Sequence, residues 1–381
     1  MKKTLMVAAL TGVFATAAHA QSSVTLYGLI DAGITYTNNQ HGHSNWQETS
    51  GSINGSRWGL RGAEDLGGGL KAIFTLENGF GINDGTLKQG GREFGRQAFV
   101  GLASDQFGAV TLGRQYDSMV DYVAPLALTG TQYGGTQFAH PLDNDNLNNS
   151  FRVNNAIKYQ SANYAGFKFG ALYGFSNQAA GFANNRVYSA GASYSFSGFN
   201  LAAAYLQVNN NGNVNAANVN SSGAIASDNT FFAGRQQTWG AGANYTFGPA
   251  TVGVVYTQTN LNSLNAIGAS ASGNANPLAV GGGQSAHFQN FEGNARYALT
   301  PALSLAGNYT YTRANIQGQG EHWNQVNLQT DYALSKRTDV YLQAEYVTTN
   351  ENGLIKPVVN GLAASATDNQ VAVTAGLRHR F

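Results

Sequence analysis

The chain of 381 residues carries 21 basic and 20 acidic side chains, so its formal charge of +1 lacks the basic excess typical of nucleic-acid-binding proteins. It has no cysteine, which excludes disulfide scaffolds, thiolate metal sites and cysteine nucleophiles. The 48 glycines, 20 phenylalanines and 19 tyrosines, with only 11% charged residues, favour many strands joined by tight turns. Any strong charge selectivity must therefore arise from where charges lie and not from their total.

The start of the chain has the pattern of a secretory signal peptide. Two lysines precede the apolar stretch 5–17, and the small residues of Ala18-His19-Ala20 form a cleavage site. The apolar stretch is too short for a helix that spans about 30 Å of hydrocarbon. We expect a signal peptide over residues 1–20 and a single β-barrel domain over residues 21–381.

Sixteen candidate strands follow, each about 9–13 residues long, the length that a tilted barrel strand needs. They cover 24–37, 56–66, 70–79, 96–105, 108–117, 152–164, 167–176, 186–197, 199–209, 236–247, 250–261, 287–299, 303–315, 322–334, 338–350 and 369–381. Tight turns alternate with longer polar connections at 38–55, 80–95, 118–151, 177–185, 210–235, 262–286, 316–321 and 351–368. Short turns on one side and long loops on the other predict an all-β, 16-stranded antiparallel transmembrane β-barrel.

Period-two alternation predicts which side chains face lipid. In the last strand Val371, Val373, Ala375, Leu377 and Phe381 share one face, and Gln370, Thr374, Arg378 and Arg380 share the other. The same alternation in earlier strands turns Arg57, Arg61, Lys71, Arg152 and Lys158 towards the lumen. A lipid-facing Arg or Lys at mid-bilayer would cost about 2–4 kcal/mol, which supports this assignment.

The longest connection, 118–151, is the candidate for a loop that folds into the lumen. A barrel of this size is too wide for its wall side chains to fill, and long structureless loops are uncommon unless they are functional. The loop begins with the apolar run 118–126 and carries Asp121, Asp143 and Asp145. We expect the apolar start to pack against the inner wall, although contact with a neighbouring subunit is an alternative.

Several motifs occur in order at barrel-compatible spacing: 23–28 (SVTLYG), 56–69 (SRWGLRGAEDLGGG), 94–102 (FGRQAFVGL), 110–115 (VTLGRQ), 152–155 (RVNN) and the terminal Phe381. Through these motifs the chain resembles the general porins of Gram-negative bacteria, of the betaproteobacterial and neisserial type. The resemblance implies a homotrimer of water-filled channels in the outer membrane. It also implies that Phe381 is the terminal aromatic residue read during barrel assembly.

In such porins the third external loop faces a cluster of wall arginines. The resemblance assigns Arg57, Arg96 and Arg152 to this pore constriction, with Arg61 and Lys71 as neighbours. Asp121 would oppose the arginines and create a transverse field, as charged rings do in other pores. Alternatively, the arginines pair with loop carboxylates and lock the loop. Alternation points Arg114 outwards unless a bulge intervenes.

The sequence predicts a non-enzymatic channel in the cell outer membrane, without a cofactor and without a nucleic-acid partner. It would be surrounded by outer-membrane lipid and pass ions and small hydrophilic solutes by passive diffusion, with modest anion preference. A substrate-specific channel with an adhesin or receptor role for the external loops is the alternative. An outer-membrane hydrolase is disfavoured because the histidines are scattered and no nucleophile motif is present.

Overall fold

The computed structural model describes residues 23–210, 223–225, 228–351 and 353–381; the predicted signal peptide lies outside them. Its strands are β1 Ser23–Gln40, β2 His43–Ser50, β3 Arg57–Gly67, β4 Leu70–Gly79, β5 Gln97–Ser104, β6 Gly108–Gln115, β7 Val153–Gln160, β8 Phe167–Gly174, β9 Arg186–Phe196, β10 Phe199–Asn209, β11 Phe231–Phe247, β12 Ala250–Ile267, β13 Leu278–Ala298, β14 Leu303–Ile316, β15 Gln319–Ala333, β16 Thr338–Thr349 and β17 Asn369–Arg380. Short helical turns lie at Met119–Val123, Ala124–Leu126, Leu128–Gly130, Gly135–Phe138, Pro141–Asp143 and Ala269–Ser272. No helix in the described part of the chain is long and apolar enough to cross a membrane.

The sheet closes on itself because β1 pairs with β17 on one edge and with both β2 and β3 on the other. Residues 23–29 of β1 pair with β3, whereas residues 32–40 pair with β2. The two short strands thus share one position in the wall, and every pairing around the ring is antiparallel. This confirms the predicted sixteen-stranded barrel.

The strand β2 was not predicted, because its residues lie in the expected loop 38–55. Tyr36 and Trp46 pack against each other across the β1–β2 hairpin with ring centroids 5.0 Å apart, and Thr35 and Thr49 are hydrogen-bonded on the other face. The strands β11, β12 and β13 also extend into predicted loops, and the expected loop 316–321 is a tight turn at Gln317 and Gly318. Strands that continue into water need no apolar face, so hydrophobic alternation does not detect them.

The outer surface is an apolar band. Val100 and Leu112 are cross-strand partners that are 58% and 55% exposed. At one rim a continuous row of stacked rings runs through Tyr194, Phe196, Phe199, Tyr245 and Phe247, with centroids 4.2–5.7 Å apart. An apolar band bordered by aromatic residues is the surface that a bilayer and its interface require.

The last strand alternates as predicted. Leu377 is 47% exposed on the outer face, whereas Thr374 and Arg378 are buried on the inner face. Arg378 is not open to the lumen, because the main chain of Gln132 and the side chain of Asp339 cover it. The alternation of apolar and polar residues therefore identified the inner face of this strand, but other residues of the chain cover part of that face.

Candidate functional site

Residues 116–152, between β6 and β7, fold into the barrel and contact the far wall. The Asn294 amide of β13 donates to the carbonyl of Leu126 at 2.9 Å, and the Gln343 amide of β16 donates to the carbonyl of Gly134 at 2.7 Å. These bonds cross the lumen from one side of the sheet to the other. The folded-in loop is thus confirmed, and it narrows the channel.

The apolar start of the loop packs against the inner wall, as predicted. Met119, Tyr122 and Leu126 are buried, together with wall residues of β7 to β10 and of β12. Glycines in the wall make room for them: a Cβ at Gly191 would lie 2.6 Å from the Tyr122 ring. Replacing this glycine by a larger residue would force the loop away from the wall.

A buried ion cluster fastens the middle of the loop. His140 lies 2.6 Å from Asp145 through Nδ1 and 2.9 Å from Glu292 of β13 through Nε2. The Thr257 hydroxyl donates to Asp145 at 2.6 Å. Burial alone would lower the pKa of His140, but the two carboxylates outweigh it and raise that pKa to about 10. The imidazolium therefore balances buried negative charge at neutral pH.

The other carboxylates of the loop also hold the loop in its conformation or against the wall. The main-chain amides of Asn148 and Ser150 donate to Asp143 at 2.9 and 3.1 Å. Asp121 forms an ion pair with Lys158 of β7 beneath the loop. The expectation that Asp121 opposes the arginines is therefore wrong, because its charge is neutralised on the wall behind the loop.

Arg57, Arg96 and Arg152 line one cavity of about 750 Å³. Arg96 Nε donates to Glu77 at 2.7 Å. The Tyr116 hydroxyl accepts from Arg96 at 3.1 Å and donates to Glu77 at 3.0 Å. The Arg152 guanidinium lies over the Tyr116 ring, 6.0 Å from its centroid. Arg57 donates to the carbonyl of Gly55 at 3.0 Å. Tyr116 thus holds Arg96 and Arg152 in place, whereas Arg57 is held by the main chain.

The charges that line this cavity are unbalanced. Its basic members are Lys88 and the three arginines, and Asp228 is its acidic member among the described residues. The loop contributes neutral groups such as Thr129, Thr131 and Ser150, and the external segments contribute Ala269, Ser270, Ala271, Pro277, Asn360 and Gly361. The cavity wall is positive on one side and uncharged on the other.

Arg114 points inwards, contrary to simple alternation. The β6–β7 register shifts between Gly113 and Gln115, and Gly113 has φ +135°, which L side chains rarely adopt. This bulge turns the guanidinium towards the carbonyl of Gly95 at 2.7 Å and into an ion pair with Asp228. The glycine before the arginine is the sequence signal that could have indicated the bulge.

Arg61 and Lys71 do not line this cavity. The Arg61 guanidinium lies 5.2 Å from the centroid of the Tyr27 ring, whose hydroxyl donates to Glu77 at 3.0 Å. Lys71 pairs with the exposed Asp105 at 2.9 Å, at the turn end of β4. Because eight residues of strand separate Lys71 from the partner of Arg57, about 26 Å, its assignment to the constriction is wrong.

The described residues contain no group of three or more His, Cys, Asp or Glu side chains placed to hold a metal ion. Glu77, Tyr116, Lys88, Arg114 and Asp228 belong to the site but were not assigned to it from the sequence. Their types are common, and only the folded wall brings them beside the three arginines.

A closed barrel with an apolar outer band and a loop folded inside defines a membrane channel. Residues 5–352 match the family model described as Gram-negative porin, and the chain belongs to this family. An outer membrane porin protein of Bordetella pertussis is 32% identical over the full length of both chains. This protein is accordingly an outer-membrane channel for passive diffusion.

Two solved structures share the fold. An anion-selective porin from Comamonas acidovorans superposes with a TM-score of 0.73 and 24% identity, covering 95% of this chain and 100% of that one. An outer membrane protein of Vibrio cholerae, described in its trimer form, superposes with a TM-score of 0.65 and 18% identity, covering 94% and 99%.

Proposed function

We propose that this channel prefers small anionic solutes, and that Arg57, Arg96 and Arg152 form the constriction that sets the preference. The imbalance of charge in the cavity is the observation that carries the proposal. Guanidinium groups stay charged at any working pH, so the positive wall is permanent. The anion selectivity stated for the Comamonas porin is consistent with this arrangement.

An arginine that is paired with a carboxylate contributes less to the electrostatic field in the cavity than an unpaired one. Arg96 is matched by Glu77, whereas Arg57 and Arg152 form no ion pair among the described residues. Two unpaired arginine charges therefore remain at the proposed constriction, even though the whole chain carries only +1. In a confined lumen such charges raise the local anion concentration, and salt screens the effect over about 10 Å at 0.1 M.

The reversal potential of the reconstituted channel in a potassium chloride gradient tests the proposal. We expect a sign that indicates chloride preference, and a shift towards cations in the triple variant R57Q/R96Q/R152Q. Both effects should shrink at high salt. Cation preference of the native protein would contradict the proposal, and an unchanged triple variant would make the arginines structural.

The packing of the external segments near residues 267–271 and 358–362 favours a narrow channel entrance as a second feature. Ile267, Val358, Val359 and Leu362 belong to one buried apolar cluster, and Ala271 and Gly361 from these segments reach the cavity. Packed loops exclude bulky solutes more sharply than mobile ones. Swelling of proteoliposomes measures how fast a solute enters through the channel. Much faster swelling with small carboxylates than with uncharged sugars of equal size would indicate a channel specific for particular small anions.

We further propose a homotrimer, as described for the Vibrio relative. The outer faces of β1 and β5 carry exposed Val24, Leu26, Val100 and Leu102, which are suited to lipid or to a neighbouring barrel. The mass of the detergent-solubilised protein, measured by light scattering, tests this assembly. A receptor role of the external loops stays a prediction from the sequence.

A further inference from the structure

The outer face of β9–β14 changes from apolar to polar beyond a row of aromatic rings. Trp239, Tyr256, Phe291 and Tyr311 form this row, with neighbouring centroids 5.0–6.4 Å apart. Such rings mark the level at which hydrocarbon meets headgroups. Two to six residues nearer to the external loops, the same face carries amide and basic side chains. They are Gln207, Asn209, Gln237, Gln258, Asn260, Asn262, Gln289, His287, Arg186, Arg235 and Arg313, and we call them the outer polar band.

Strand alternation shows that the band faces outwards. Arg235 lies four residues from Trp239, which is 40% exposed on the outer face, and the intervening Thr238 is buried on the inner face. Arg313 likewise lies four residues from Tyr309, which is 48% exposed on the outer face. Side chains four residues apart in a strand share a face. These arginines therefore lie outside the barrel and do not line the channel.

Two copies of one hydrogen-bonded arrangement order the amides. In each copy a tyrosine hydroxyl donates to the glutamine two residues further along, and a glutamine of the next strand donates to both. The first copy consists of Tyr205, Gln207 and Gln237, with bonds of 2.7, 2.9 and 3.1 Å. The second copy consists of Tyr256, Gln258 and Gln289, with bonds of 3.0, 2.7 and 3.0 Å. The band is therefore an ordered surface.

The outer polar band is positive. Its three arginines form no ion pair among the described residues, and the rest of the chain contains no Asp or Glu that could pair with them. Glu292 is the single acidic residue in β9–β14, and it faces inwards to His140. A surface that meets only water needs no preference for one sign of charge. A partner that complements this surface must be anionic.

The strand register brings the arginines within reach of one headgroup. Arg186 and Arg235 are both direct cross-strand partners of Asn209, so their Cα atoms lie about 10 Å apart. Two arginine side chains can bridge that distance to one phosphate. Arg313 lies on β14, three strands from Arg235, or about 14 Å across the sheet. This spacing suits a headgroup that carries more than one phosphate.

We propose that the outer polar band binds the phosphorylated headgroup of a glycolipid in the outer leaflet of the outer membrane. Guanidinium groups bind phosphate bidentately, and the ordered amides offer donors and acceptors to sugar hydroxyls. The acyl chains would lie against the apolar wall below the aromatic row. In the ring of sixteen positions, β11 and β12 lie diametrically opposite the sector β1–β5, so the proposed trimer leaves the band facing lipid.

Native mass spectrometry, which counts bound lipids, tests the proposal on the full chain refolded in neutral detergent without lipopolysaccharide. The probes are lipid A with two phosphates and the neutral glycolipid digalactosyl diacylglycerol. The test variant is R186Q/R235Q/R313Q. The matched control is K168Q/K336Q/R337Q, which removes the same charge from exposed positions at the rim with the short turns. Circular dichroism establishes that both variants fold.

We expect saturable binding of lipid A, at least about tenfold weaker in the test variant and unchanged in the control. The neutral glycolipid should bind much more weakly, and the test variant should keep the native reversal potential because the band lies outside the channel.

Native affinity for lipid A in the test variant, equal binding of the two lipids, or displacement of lipid A by an equal concentration of inorganic phosphate would each overturn the proposal. A smaller assembled mass of the test variant in light scattering would also overturn it, because the band would then join neighbouring barrels. The comparison of the two lipids on the native protein decides the matter even if a variant does not fold.

Discussion

The arginine wall (Arg57, Arg96 and Arg152) and the loop anchor (His140, Asp145 and Glu292) both consist of charged residues, but they do different things. At the wall, Arg57 and Arg152 line the cavity without a paired carboxylate. At the anchor, His140 is enclosed by Asp145 and Glu292, and all three are buried. Unpaired charge beside the cavity creates a field, whereas paired charge away from water holds a chain segment in place. The wall should therefore set ion preference and the anchor should set pore width.

Breaking the anchor should give the largest effect. In H140L the buried Asp145 and Glu292 lose their shared partner, which costs about 3–5 kcal/mol for such a pair. We expect the loop to detach, so single-channel conductance rises and the loop becomes sensitive to protease. The exposed Glu351 supplies the control, E351Q, which should behave like the native protein. Native conductance and protease resistance in H140L would mean that the apolar packing alone holds the loop.

The paired and unpaired arginines should differ when the pair is removed as a whole. R96Q and R57Q each lower the charge of the site by one, so we expect shifts of the reversal potential towards cations of similar size in both. The double variant R96Q/E77Q removes a neutral unit and should recover most of the shift of R96Q. A shift in R96Q/E77Q as large as that in R57Q would contradict the pairing of Arg96 with Glu77.

The anchor should also respond to alkaline pH. The pKa of His140 is raised from about 6.5 to about 10, so its contribution to folding is complete below about pH 6.5 and is lost as pH rises through 10. We expect steady conductance around neutral pH and larger, noisier conductance above about pH 10. The H140L variant at the same pH values corrects for titration of tyrosines and lysines. A native profile that is flat through pH 11 would contradict the assignment.

The smallest effect is expected at Lys71. Its charge is neutralised by Asp105, both side chains are exposed, and the pair lies at the turn end of β4. K71Q should therefore leave the reversal potential within experimental error of the native value. A shift comparable to that of R57Q would indicate that Lys71 lies in the narrow part of the channel after all.

Sequence reasoning succeeded where one local rule decides the outcome. Hydrophobic alternation assigned Leu377 to lipid and Arg378 to the inner wall, and the apolar run after Ser118 indicated that the loop packs inside. It failed where tertiary contacts decide. Arg114 turns inwards through a bulge at Gly113, and Asp121 meets Lys158 because the loop start lies against β7.

Buried polar groups were the hardest to predict. In the sequence Glu345 looks like a lumen-facing carboxylate in water, since alternation cannot show that the segment Gly135–Phe138 covers this part of the wall. Similarly, His140 appears as a lone loop histidine until Glu292, 152 residues away, is placed beside it. Which charges are wet and which are dry depends on the loop path, and the chain order does not contain that information in a local pattern.

Measuring reversal potential and single-channel conductance together on R57Q/R96Q/R152Q and on H140L tests the division between wall and anchor most directly. We predict that the triple variant moves the reversal potential towards cations with little change in conductance. H140L should raise conductance while the sign of the reversal potential stays that of an anion-preferring channel. Two variants that change both quantities in parallel would contradict the account, because field and width would then depend on one structure.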